Sequence, residues 1–392
     1  MAVTAPAGAG LGAIRTPALI IDLDAVDQNL SATLRLLGGN PARWRPHLKT
    51  VKLARVMRRL NALGVEQAKT STTLELETAC EAGFGDLLLA YPVVGPQIEV
   101  VLRLARAFPA ARISVLIEDP AQIEPWRGSP VGGGLFIDLN SGMDRTGMLL
   151  ERHDRVVALA RAITGSGLRF AGLHFYDGHA ANFPPGEARQ LVHRGYDRLV
   201  AVVRSLGAAG ITTPEVVTAG TPAFPHALSY PGFGSGTIHR VSPGTVIYND
   251  RRSLEQLPGD AGYRPAVFVL SRVVSHPGPN RFCADAGHKS ISADAGDPIC
   301  EVVGRPDFIP RHPSEEHLPI DVAPGTVLPE RGELLWLLPT HVCPTVNNFD
   351  HAVIVAGGVI LGTERVTARG RHPPLESGPV RAPSPEQYLT PL

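Results

Sequence analysis

The chain has 392 residues, 44% of them apolar and 19% charged, with 37 basic residues set against 37 acidic ones. Balanced charge gives no field to attract nucleic acid or a membrane surface, and no apolar run reaches the ~18 residues a membrane span needs. The opening MAVTAPAGAGLGAIRTP lacks the basic end and apolar core of a signal peptide, and four scattered cysteines (Cys80, Cys283, Cys300, Cys343) do not form a disulfide scaffold. A soluble, cytoplasmic globular protein with no nucleic-acid or membrane partner is expected.

From Pro17 to about Tyr248, short apolar runs alternate with helical patterns. PALIID (17–22) reads as a strand followed by a helix that ends at glycine. WRPHLK (44–49) is strand-like, and VKLARVMRRLNALG after it is amphipathic. Extended segments follow at 65–69, DLLLAY (86–91), ARISVLIE (111–118), GLFIDL (134–139), RFAGLHFY (169–176), PEVVTAG (214–220) and IHRVSPGTVIY (238–248), with helical patterns between most of them. Strands rich in Val, Leu and Ile that alternate with helices indicate a parallel sheet buried on both faces. Roughly eight such units predict an α/β (β/α)8 barrel. A doubly wound open sheet is the second choice, but no GxGxxG follows the first strand. Beyond about residue 260 the helical period disappears, and β-like runs such as YRPAVFVLSRVVSHP, ELLWLLPTHVC and HAVIVAGGVILG are divided by Gly and Pro turns. They predict a second, all-β domain.

Only four of the basic residues are lysines: Lys49, Lys52, Lys69 and Lys289. Where a surface cation is normally Arg, a retained Lys is a candidate for amine chemistry. Lys49 closes RPHLKT at a predicted strand end, the face on which barrel enzymes carry their chemistry, with Arg45 and His47 on the same strand face. A buried amine there can form a Schiff base; position alone also allows an ordinary surface lysine. NSGMDRTGM (140–148) puts Arg145 in a glycine-shaped turn after a strand, where a guanidinium can bind a phenolate or carboxylate or be a plain loop residue. TAGTPAF (218–224) and SPGTVIY (242–248) are glycine-containing stretches late in the barrel, the usual phosphate-binding region, or else structural turns. In PTHVCPT (339–345), His341 and Cys343 are spaced i, i+2, so on a strand both side chains point the same way. Imidazole and thiolate form a partial zinc site that leaves positions for water or substrate; a chance pair at a strand end is the alternative.

In this order, RPHLKTVK, GMDRTG, TAGTP, SPGTVIYND, EEH and PTHVC resemble the D-serine dehydratase and D-threonine aldolase group of alanine-racemase-like pyridoxal-phosphate (PLP) enzymes, over about residues 16–370. The resemblance implies a PLP-binding barrel over 17–255, a β domain over 256–375 joined by residues 1–16, and a loose tail at 376–392. Lys49 matches the Schiff-base lysine, with His47 beside it; Lys52 is second choice. Arg145 matches an arginine next to the cofactor ring, and Tyr176 a cofactor-contacting side chain. Thr221, Gly244 and Thr245 fall in the phosphate cup with Tyr248 close by, and His341 and Cys343 match the metal pair, expected to take Zn2+, or Mn2+ or Mg2+. Asn182 stands where aldolases often carry a histidine base, so His179 is the replacement. The implied substrate is a small β-hydroxy D-amino acid and the implied assembly a homodimer. The implied reaction is dehydration to a 2-oxo acid and ammonia, which the Cys343 ligand favours. Retro-aldol cleavage to glycine and an aldehyde is the alternative, since PTVNN looks more like aldolases. A racemase comes third because it needs no metal. A non-catalytic PLP-binding single barrel would lack the roughly 130-residue β domain.

Overall fold

In the computed structural model, which describes residues 3–6, 10–234 and 236–375, the chain divides into two compact units. The first comprises residues up to Asn40, Lys49–Val56 and Pro243–Arg369; the second comprises Pro41–Leu48, Met57–Ser242 and the residues from Gly370 on. The tail expected at 376–392 lies outside the described residues.

The second unit is the barrel. Seven strands run parallel in the order Gln67–Thr70, Asp86–Pro92, Arg112–Ile117, Gly134–Asn140, Phe170–Phe175, Glu215–Thr218 and Ile238–Val241. Segment 44–47 joins the two edges through parallel bridges, Trp44 to Val241 and His47 to Lys69. Arg45 N–H donates to the Val241 carbonyl and Lys69 N–H to the Pro46 carbonyl, each at 2.9 Å, so this segment bridges the first and last of the seven strands. The strands are hydrophobic along their length because helices cover the outer face and side chains fill the lumen, where Leu88, Leu116, Phe136, Ala171 and Val217 pack together. The longest helix, Pro185–Ala208, buries Ala188, Val192, Tyr196, Leu199, Val202 and Leu206, an i+3/i+4 stripe.

At the N-terminal ends of the barrel strands, Arg45 is fully buried. It donates to Glu215 from Nε at 2.7 Å and Nη2 at 3.0 Å, and to Asp86 from Nη1 at 3.0 Å. Burial would lower its pKa, but the two carboxylates outweigh burial and raise it. Arg45 is therefore a structural cation of the barrel floor, opposite the face where chemistry is found.

The first unit is built on an antiparallel-rich sheet in the order Phe308–Pro310, Leu318–Val322, Arg281–Ala284, Val267–Gly278, Ala18–Asp22, His351–Ala356 and Val359–Arg365. Leu334–Pro339 pairs with Val267–Gly278 and Cys300–Val302. Here the sequence reading needs correction. The run at 17–22 is a strand, but Ala18–Asp22 pairs antiparallel with Val267–Gly278 and parallel with His351–Ala356, outside the barrel series. Its residues are buried almost throughout, so it carries the same continuous apolar signature as a barrel strand. The run 238–248 likewise divides. The strand stops at Val241, and after Pro243 the chain turns into the 3-10 helix Thr245–Ile247 of the first unit. Among the described residues, no helix is long and apolar enough to cross a membrane.

Candidate active site

In the barrel unit, polar side chains gather at the C-terminal ends of the strands. His47 is buried, and its Nε2 lies 3.2 Å from Ser71 Oγ. Asp138 and His174 are direct register partners on neighbouring parallel strands, and Asp138 Oδ1 is 2.7 Å from His174 Nδ1. His174 Nε2 is 3.3 Å from Lys69 Nζ. All three are buried, at 3%, 5% and 1% exposure for Asp138, His174 and Lys69. Burial, Lys69 and Arg145 lower the His174 pKa against the raising effect of Asp138, so the imidazole is neutral near pH 7.

Arg145 occupies a turn organised by Asn140, whose Oδ1 accepts from Gly142 N–H at 2.9 Å and Asp144 N–H at 3.2 Å. Thr146 donates to Asp138 Oδ2 at 2.8 Å. The exposed Arg145 guanidinium stands 5.1 Å from the centre of the Tyr176 ring, and Lys69 Nζ stands 5.2 Å from it. Two glycines fix that ring. A Cβ on Gly178 would come within 2.5 Å of the Tyr176 hydroxyl, and one on Gly220 within 2.8 Å of a ring carbon. Any side chain at either position would displace the ring.

The loop after Tyr176 separates two candidates for a base. Asp177 is buried, which pushes its pKa up to about 6, but both oxygens are engaged: Tyr196 donates at 2.7 Å and Gly220 N–H at 3.2 Å. It is a structural acceptor. His179, in the 3-10 helix Gly178–Asn182, has a buried Nδ1 without a hydrogen-bond partner among the described residues, and burial holds its pKa below the ordinary imidazole value despite Asp144. A neutral, partly buried imidazole of this kind can take a proton. Thr221 is buried in the turn before the helix Phe224–Leu228.

In the first unit, Lys49 is half-buried in a turn at 48–51. The other lysines have evident structural or surface settings. Lys52 has a left-handed backbone (φ 53°), and its amine donates to the Ala368 carbonyl at 3.1 Å. Lys289 is half-exposed and ion-paired with Glu315 at 2.6 Å and Glu316 at 3.3 Å. Tyr248 is fully buried and donates to the Val51 carbonyl at 2.8 Å, so it braces the Lys49 turn. Gly244 caps the 3-10 helix that begins at Thr245.

His341 and Cys343 do come together, though not by strand alternation. The strand stops at Pro339, His341 caps the helix Val342–Asn347, and Cys343 lies in its first turn. The helix start is held by Asp250 Oδ2, which accepts from Val342 N–H at 2.9 Å. His341 Nδ1 lies 2.6 Å from Asp294 Oδ2. Burial lowers the His341 pKa, but the Cys343 thiolate and Asp294 raise it further, to about 9. Burial would raise the Cys343 pKa, whereas His341, Lys49 and the Thr50 hydroxyl bring it below the usual thiol value. Thr50 Oγ1 is 3.0 Å and Thr245 Oγ1 3.5 Å from the Cys343 sulfur. Among the described residues, no group of three or more His, Cys, Asp and Glu is placed to hold a metal ion.

Sequence reasoning passed over Lys69, His174 and Asp138. The available signal was a charged or ionisable residue within an otherwise apolar barrel strand: His174 in LHFY, Asp138 in LFIDL, and a rare lysine at 69. It also missed Thr50 and Asp294, which no local motif marks.

Family models match two parts of the chain: an alanine racemase N-terminal domain over 21–252 and a putative serine dehydratase domain over 266–355. The chain is 30% identical to a D-threonine aldolase of Arthrobacter sp. over 380 residues, covering 94% of this chain and 97% of that protein. It is 26% identical to a D-threo-3-hydroxyaspartate dehydratase of Delftia sp., covering 90% of this chain and 97% of that protein. Among solved structures, a D-threonine aldolase from Filomicrobium marinum superposes with a TM-score of 0.83 at 30% identity, covering 93% of this chain and 99% of the other.

Proposed function

Since the chain belongs to the D-threonine aldolase and D-serine dehydratase family of alanine-racemase-like lyases, we propose that it is a PLP- and divalent-metal-dependent lyase acting on a β-hydroxy D-amino acid. The observation that carries this reading is the gathering, within one unit, of Lys49 and Thr50 with His341 and Cys343.

The residues fit both groups. Lys52 is tied to Ala368 and Lys289 to two glutamates, while Lys69 lies against His174. Lys49, in the turn at 48–51, is the lysine that the family resemblance assigns to the cofactor carbonyl. His47, Arg145 and Tyr176 are the side chains for its ring. By the family resemblance, Thr221, Gly244 and Thr245, together with Tyr248, are the residues for its phosphate. For the metal, Asp294 holds Nδ1 of His341 and leaves Nε2 as the nitrogen for a cation, a common arrangement behind metal-bound imidazoles. Cys343 is already biased toward the thiolate that a soft cation needs. These donors favour Zn2+ over Mn2+ or Mg2+.

PLP supplies an electron sink for charge at Cα, and a divalent cation supplies Lewis acidity toward the β-hydroxyl. With both groups bound, Lys49 would take the Cα proton, and the hydroxyl would leave as water that is taken up again when ammonia is released. Dehydration to a 2-oxo acid and ammonia follows. The Cys343 ligand favours this route. Retro-aldol cleavage is the second reading, favoured by the buried unpartnered Nδ1 of His179, which suits removal of the hydroxyl proton, and by the 30% identity to D-threonine aldolase. The working unit is a homodimer, the commonest closed assembly, which light scattering would test.

Product analysis tests the whole reading. Purified protein with PLP and zinc is given D-serine and D-threonine separately. Pyruvate or 2-oxobutyrate establishes elimination, whereas glycine with acetaldehyde from D-threonine establishes the aldolase. Interconversion of D- and L-forms without either set would show a racemase and overturn the proposal.

A further inference from the structure

Asp138 joins two arms that both end at Tyr176. In one arm, its Oδ1 pairs with His174 Nδ1 at 2.7 Å, and His174 Nε2 lies 3.3 Å from Lys69 Nζ. In the other, its Oδ2 accepts from Thr146 at 2.8 Å, and Thr146 is the neighbour of Arg145 in the turn. The two cations stand 5.2 Å and 5.1 Å from the centre of the same ring, within range of a cation–π contact. Gly178 and Gly220, lacking a Cβ, leave the space that ring occupies. One buried carboxylate on one barrel strand thus organises three other segments around a single phenol.

The chemistry of the first arm is internally consistent. Asp138 Oδ1 accepts the hydrogen bond of His174 Nδ1–H, which leaves the lone pair of Nε2 facing Lys69. An imidazole kept neutral, as burial and the nearby cations require, accepts from the lysine ammonium rather than repelling it. Lys69, at 1% exposure, is otherwise an expensive place for a charge, since a buried ammonium needs partners that stay in register. The barrel floor shows a different solution. Arg45 there meets Glu215 and Asp86 directly, with its guanidinium 6.0 Å from the centre of the Phe136 ring. At the mouth, the cation is held through an imidazole and placed against Tyr176.

We propose that Asp138, His174 and Lys69 are positioning residues that hold the Tyr176 ring in one orientation for contact with PLP. This rests on the reading of Tyr176 as a cofactor-contacting side chain. Lys69 then acts through Tyr176 and not as a second Schiff-base lysine.

The test is binding of PLP to the apoprotein, read by the dissociation constant and by the position of the visible absorption band. The variants are Tyr176→Leu, Lys69→Met, Lys69→Arg and the Lys69→Met/Tyr176→Leu double. Lys69→Met is expected to weaken PLP binding about three- to tenfold, the range of a buried cation–π contact, and to shift the band. Lys69→Arg, which keeps a cation and a donor for His174, is expected to recover most of both. The double variant is expected to bind no more weakly than Tyr176→Leu alone, because the lysine's effect passes through the ring. If the two losses add in full, Lys69 acts independently of Tyr176 and the proposal is overturned. If Tyr176→Leu alone leaves affinity and band unchanged, the cofactor-contact reading of Tyr176 is what fails, and the proposal goes with it. Should Lys69→Met lose the fold by circular dichroism, Thr146→Val cuts the other arm at a partly exposed residue and is scored against Tyr176→Leu in the same way: non-additive loss supports the proposal and additive loss overturns it.

Discussion

Thr50 and Cys343 lie 293 positions apart in the chain, yet Thr50 Oγ1 is 3.0 Å from the Cys343 sulfur. The contact ties the residue after Lys49 to a thiol whose pKa His341, Lys49 and Thr50 all lower against the effect of burial. The turn that carries Lys49 and the helix start that carries Cys343 are therefore held together.

The first expectation concerns that amine. Purified protein should carry a long-wavelength absorption band that Lys49→Ala removes. Borohydride reduction and peptide mapping should place the pyridoxyl group on Lys49. Recovery of the label on Lys52, Lys69 or Lys289 would show the assignment to be wrong.

Lys52 offers the contrast, since it has the same chemistry but different surroundings. Its amine donates to the Ala368 carbonyl at 3.1 Å, and its own carbonyl accepts from Ala368 N–H at 3.0 Å. Lys52→Met leaves a buried acceptor without that donor, a loss of about 1–3 kcal/mol in stability. The visible band should persist at saturating PLP. Denaturant unfolding and the absorption spectrum read the two effects separately, and a variant that loses the band while keeping its stability would contradict this division of roles.

The contrast shows what the sequence makes legible. RPHLKT could be read because a retained lysine at a strand end is unusual in a chain that writes its cations as arginine. PTHVC could be read because imidazole and thiol two apart suggest a shared ligand, although the pair meets through a helix cap rather than strand alternation. Lys69, His174 and Asp138 could not be grouped, since only closure of the barrel brings residues from three separate strands to one level. The run 17–22 was assigned to the wrong sheet for a related reason. A strand buried on both faces looks the same whether it lies in a parallel barrel or in the centre of a mixed sheet.

Asp177 gives a pH dependence with a definite sign. Burial, its largest influence, raises its pKa to about 6, above the ~3.9 of an unfolded chain. The folded state then binds more protons than the unfolded state between roughly pH 4 and 6, so Asp177 lowers stability as pH rises through that window, and the loss levels off above it. Asp177→Asn, whose amide can still meet Gly220 N–H and the Tyr196 hydroxyl, should remove this slope. The difference in unfolding free energy between variant and wild type is expected to move in favour of the variant by up to a few kcal/mol from pH 4 to pH 7. A flat difference across that range would mean that Asp177 ionises in the folded protein as readily as in the unfolded chain.

The metal reading is the most exposed to test. His341 is oriented by Asp294 through Nδ1, Cys343 is biased toward thiolate, and no third described His, Cys, Asp or Glu makes up a group with them. Two protein donors leave positions open, as Lewis-acid chemistry requires and a structural zinc site does not. Chelation should therefore remove lyase activity by at least about 100-fold while leaving the visible band largely intact, and added Zn2+ should restore it. Cys343→Ala should behave like the chelated enzyme. Cys343→Asp replaces a soft ligand with a hard one, so it should weaken zinc relative to Mn2+. Because the Cys343 ligand is what favours dehydration, the variant should raise the share of glycine and acetaldehyde formed from D-threonine. Full activity in the presence of a chelator, or in Cys343→Ala, would reduce the pair to an ordinary helix start and move racemisation to first place, since that reaction uses the barrel and Lys49 without a cation.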